Sequence, residues 1–65
     1  MAEKITRAWA RAMAESVMRA GTKRGRQFVA AQFVRDVFVA IKAGDCSDPR
    51  WCAELAIRTW RKVSR

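Results

Sequence analysis

The chain has 65 residues, with 14 basic side chains against 6 acidic ones, a net charge of +8, and neither His nor Tyr. That length allows one domain, and a chain so short buries only about 60% of its unfolded surface, so its stability is marginal without a disulfide, a metal or self-association. The charge favours anionic partners, and the missing His and Tyr remove most general acid–base constellations, so a non-enzymatic binding protein is expected.

Cys46 and Cys52 are the only thiols, and without His they cannot make a four-ligand zinc site. No metal and no cofactor is therefore expected. A disulfide between them would close only a short loop, which limits its effect. Two reduced cysteines fit a cytoplasmic protein better than a secreted disulfide framework. Self-association is then the expected compensation for small size. Met1-Ala2-Glu3-Lys4 leads into an amphipathic pattern rather than a signal-peptide core, and Phe28–Ile41 contains Gln32, Arg35 and Asp36. Neither stretch reads as a membrane span, so the expected location is the cytoplasm.

In chain order, helical periodicity runs first from about residue 2 to residue 20. Ile5, Trp9, Ala12, Met13, Ser16, Val17 and Ala20 share one face, and Lys4, Arg7, Arg11, Glu15 and Arg19 the other. Glu3–Arg7 and Glu15–Arg19 are i,i+4 pairs in the favourable order. Gly21 is read as a left-handed cap that closes this helix, and Thr22 as the cap that opens the next.

The second helix is expected over about 23–43. Its apolar arc covers more than half the wheel and includes Phe33, Val34, Val37, Phe38 and Ile41. Phe28 and Val39 fall in the narrow polar stripe with Gln32, Arg35, Asp36 and Lys42. A helix this apolar is normally packed on two sides. The other two helices cover one side, so Phe33, Val34, Val37, Phe38 and Ile41 are expected to pair with a second copy in a homodimer.

Gly44 is read as the end of that helix, and Asp48-Pro49 as the cap and first turn of the third, over about 49–63. Trp51, Cys52, Leu55, Ala56, Thr59, Trp60 and Val63 make its apolar face. The expectation is therefore an all-α, compact three-helix bundle forming a single helical domain over residues 1–65, paired through its second helix.

The basic residues suggest where an anion binds. Lys23, Arg24 and Arg26 crowd the positive end of the second helix, against its dipole, whereas Arg58, Arg61, Lys62 and Arg65 gather at the negative end of the third, which is stabilising without any function. A helix start with free N–H groups and three cations suits a phosphate or carboxylate cluster. Lys4, Arg7 and Arg11 form a basic stripe that suits a nucleic-acid backbone. An Arg-, Ala- and Val-rich composition is also what GC-rich coding produces, and a basic stripe is also an ordinary solvated face. Trp51 and Trp60 sit at opposite borders of the third helix's apolar arc, with Trp51 between Arg58 and Lys62 on the wheel. Border tryptophans beside cations resemble interface composition, so Trp51, Trp60, Arg58 and Lys62 are expected to meet a partner. Cys52 lies near a helix start, which lowers a thiol pKa, but it faces the apolar side. The expected function is regulatory binding of nucleic acid through the basic turn and helix face. The alternative is a modulator of phage or mobile-element type that inhibits a larger host protein through an acidic surface.

Overall fold

Thr6 sets the first helix boundary. Its backbone is extended, and its hydroxyl accepts from the Trp9 N–H at 3.1 Å. In this computed structural model, which describes residues 4–65, helix α1 therefore spans Arg7–Arg19. The helix expected from residue 2 starts later because Thr6 is a better cap than an interior residue. Ile5 has another task. Its N–H donates to Asp45 O at 2.7 Å, and its carbonyl accepts from Ser47 N at 2.9 Å and from the Ser47 hydroxyl at 3.1 Å. This short parallel bridge ties the N-terminal segment to the second loop. Lys4 thus leaves the helical stripe it was expected to share with Arg7 and Arg11. The expected Glu3–Arg7 pair lies outside the described residues.

Helix α2 spans Lys23–Ala43, and Thr22 opens it by accepting from Gly25 N at 3.0 Å. The connection before it differs from expectation. Ala20 leaves α1 with φ −60° and ψ 133°, and Gly21 has no positive φ. The exit is extended, so no left-handed residue is required. Gly44 does take the left-handed conformation, at φ 78°, and its N–H reaches back to the last carbonyls of α2. Here glycine's freedom is required. Helix α3 spans Pro49–Ser64, with Asp48 accepting from Trp51 N at 3.3 Å and Pro49 in the first turn.

The three helices pack mutually in an all-α bundle, and no helix among the described residues is long and apolar enough to cross a membrane. Gln27, at the start of α2, donates from Nε2 to Val63 O at the end of α3, at 3.2 Å. α2 therefore runs antiparallel to α3. Arg7 and Arg11 lie by Trp51, while Met18 lies by Lys62, so α1 and α3 run parallel. The core is built from Ala10 and Val17 of α1, Ala30, Phe33, Val37 and Ala40 of α2, and Cys52, Ala56 and Val63 of α3, closed by Cys46 from the loop. Four alanines there let the helix backbones approach closely. Phe33 supplies the bulk, and its ring meets Trp9 edge-to-face, with centroids 5.8 Å apart at 61°.

This core corrects the expected dimer surface. Phe33 and Val37 are 0% exposed within a single chain, and Val34 and Ile41 pack partly buried against the same core. Phe33 and Val37 therefore cannot contact a second copy. The apolar side chains that α2 leaves outside are Phe28, Val39 and Phe38, exposed by 65%, 60% and 43%. Phe28 and Val39 are the two that the wheel placed in the polar stripe. α1 and α3, with Ile5 and Cys46 from the segments outside the helices, enclose more of the wide arc of α2 than the wheel implied.

Candidate nucleic-acid interface

The parallel arrangement of α1 and α3 leaves a seam between them. At its upper end Trp51, half-buried, is flanked by Glu54, Leu55 and Arg58. The next stretch has Ala14 and Met18 from α1 facing Leu55, Arg58, Thr59 and Lys62 from α3, around a depression of about 190 Å³. The lower mouth, of about 300 Å³, is lined by Met18, Val63, Lys23, Arg26, Lys62 and Arg65. Adjacent stretches share Leu55 and Arg58, then Met18 and Lys62, so the depressions follow one another along the seam as a groove interrupted by these side chains. From Trp51 to Arg65 the α3 wall is about 21 Å long at 1.5 Å per residue.

The fold brings together residues that the sequence reading had divided between two sites. Lys23 and Arg26 of the basic turn meet Lys62, which had been assigned with Trp51, Trp60 and Arg58 to a protein partner. Arg7 and Arg11 of the helix-one stripe meet Trp51, with guanidinium carbons 4.8 Å and 5.9 Å from its ring centre. The wheel had placed Trp51 between Arg58 and Lys62 of its own helix, but packing adds two cations from α1. Arg65 completes the mouth, and no site had included it. Its signal was available only as the last basic residue of a helix end. Trp60 lies on the other flank of α3, 39% exposed, and takes no part in the groove. Arg24 is exposed but does not line the mouth.

Two cations also carry structural tasks. Arg26 donates from an Nη to Ala20 O at 3.1 Å, capping the end of α1. Lys23, Arg24 and Arg26 oppose the dipole of α2, but the C-terminal ends of α1 and α3 lie beside them and favour positive charge. The turn is thus less at odds with its local field than α2 alone implies. Arg7 pairs through Nε with Asp48 at 2.8 Å, in a largely exposed pair. The stripe is therefore partly committed to holding α1 against the start of α3.

Cys46 and Cys52 are free and buried. Burial pushes the Cys52 thiol up from 9.0 to about 11. The hydrogen bond and charge of Cys46 and the charge of Asp48 act the same way, and Arg7 opposes them. Desolvation thus outweighs the helix-start effect expected for this thiol. Among the described residues, no three His, Cys, Asp or Glu side chains come close enough to hold a metal ion.

Comparison with protein families, with curated proteins and with solved structures gave no match for this chain.

Proposed function

We propose that this chain is a small non-enzymatic protein that binds nucleic acid in the cytoplasm, with the α1–α3 groove as its contact surface. One observation carries the reading. Arg58, Lys62, Lys23, Arg26 and Arg65 line successive depressions along the α1–α3 seam, Arg11 lies by Trp51 at its upper end, and Glu54 is the one carboxylate among the described lining residues. Several cations along one seam suit a polyanion better than a single ion. The absence of His and Tyr from the chain and the raised pKa of Cys52 both speak against catalysis.

The test is fluorescence anisotropy with labelled random-sequence DNA and RNA. About four phosphate contacts give a slope near −2.8 to −3.6 in log affinity against log salt, or at least a 50-fold loss between 50 and 200 mM. No binding to either polymer at 50 mM salt would refute the reading.

A second reading rests on a different surface. Phe28, Phe38 and Val39 stand exposed on α2 beside Arg24, Arg35 and Lys42. That face suits either a second copy of the chain or the acidic surface of a larger protein, as in a phage-type modulator. Val39→Asp then abolishes dimerisation in sedimentation equilibrium, or capture of a purified partner, while Arg58→Glu leaves both intact. The reverse pattern excludes this face.

A further inference from the structure

We propose that the α1–α3 groove takes a single strand rather than a duplex, with bases on its apolar floor and phosphates along the cationic rim that α3 and the start of α2 supply. This rests on the nucleic-acid reading and narrows it. The floor is formed by Ala14, Met18, Leu55 and Val63, and Arg58, Lys62, Lys23 and Arg65 stand around it. A duplex presents phosphates outward and recesses its base edges, so an apolar floor between two helices meets nothing it can desolvate. Reading a duplex takes an element that projects into a major groove about 12 Å wide. Here α1 and α3 lie side by side as the two walls, in a body measuring 33 × 19 × 16 Å. A single strand has unstacked bases whose faces gain from leaving water, and it uses both parts of this groove at once.

The Trp51 end supplies a stacking platform. The guanidinium groups of Arg7 and Arg11 lie over the half-buried indole, with Arg7 held by Asp48, so a base arriving there stacks on a guanidinium plane, that of Arg11 above all. Met18, 51% exposed at the other end, offers an adaptable apolar contact at the mouth. The α3 wall of about 21 Å accommodates at most about six nucleotides at 3.4 Å per stacked nucleotide, and fewer in an extended strand.

The experiment measures anisotropy of fluorescein-labelled dT12 and of a labelled 16-base-pair duplex with the full chain at 50 mM salt. The dT12 is expected to bind at least tenfold more tightly. Arg58→Glu/Lys62→Glu should weaken dT12 binding more than tenfold and lower its salt slope by about 1.4, while Arg35→Glu/Lys42→Glu, the same charge change on α2, should alter affinity less than threefold. Arg58→Gln/Lys62→Gln, with circular dichroism to confirm helix content, covers any folding defect in the Glu pair. Equal or tighter duplex binding overturns the single-strand assignment and leaves the nucleic-acid reading standing. Binding of neither probe overturns the single-strand assignment, and failure of labelled random-sequence RNA as well overturns the nucleic-acid reading with it. Equal losses from the α3 and α2 double variants show that net charge alone acts and overturn the groove.

Discussion

Phe33 and Phe28 lie five residues apart on one helix, yet their truncations should differ by an order of magnitude in effect. Phe33 is fully buried and packs edge-to-face on Trp9, whereas Phe28 is 65% exposed. Removing a buried Phe costs about 3–5 kcal/mol, within which a well-oriented aromatic pair accounts for about 0.5–1.5. A chain of 65 residues has a total stability of about 3–10 kcal/mol at 0.05–0.15 per residue. Phe33→Ala therefore removes a large part of the total, and with a urea dependence near 1 kcal/mol per molar the midpoint should fall by at least about 3 M. Phe28→Ala should cost less than about 0.5 kcal/mol. The assay is urea unfolding followed by far-ultraviolet circular dichroism, repeated at two protein concentrations tenfold apart. A Phe33→Ala midpoint within 1 M of the parent would refute the assignment of Phe33 to the core of a single chain. So would a Phe28→Ala loss as large as that of Phe33→Ala.

Asp48 separates a cap from an ion pair. It accepts from Trp51 N and pairs with Arg7 across side chains that are 58% and 37% exposed, so the cap should dominate. Asp48→Ala should cost about 1 kcal/mol and Asp48→Asn less than half of that by urea unfolding, and an equal cost would reverse the ranking. Cys52 predicts a pH dependence. Its thiol is neutral when protonated, and burial raises its pKa from 9.0 to about 11, so the folded state holds the proton more tightly. Its contribution is complete below pH 9 and is lost as pH rises from 9 to 11, an effect on the order of 2 kcal/mol. Unfolding free energy measured at pH 8 and pH 10.5 should fall further in the parent than in Cys52→Ala. Equal falls would show that the Cys52 thiol is not the source of the loss.

Local signals were enough for much of the fold. Thr22, Gly44, Asp48 and Pro49 mark helix ends through bonds between near neighbours, and each acts as its residue type implies. The start of α1 was legible too, since Thr6 is a good cap, but the apolar period running through Ile5 outweighed it. Ile5 was drawn out of the helix by Asp45 and Ser47, some forty residues away, and no periodicity reports such a pairing. The exit through extended Ala20 was hidden for a related reason. A glycine permits a left-handed turn without requiring one.

By itself the amino-acid order determined three amphipathic helices, their caps and an excess of positive charge, because those depend on neighbours within a turn or two. The tertiary structure decided which apolar residues of α2 are enclosed, and so exchanged Phe33 and Val37 for Phe28 and Val39 as its outward face. It also decided that cations of α2 and α3 share one depression, Lys23 and Arg26 with Lys62 and Arg65, and that Arg7 and Arg11 of α1 lie over Trp51 of α3. A helical wheel ranks positions around one axis. Where two walls meet depends on how the axes pack, which is set by the summed burial of all three helices and is not encoded in any one of them.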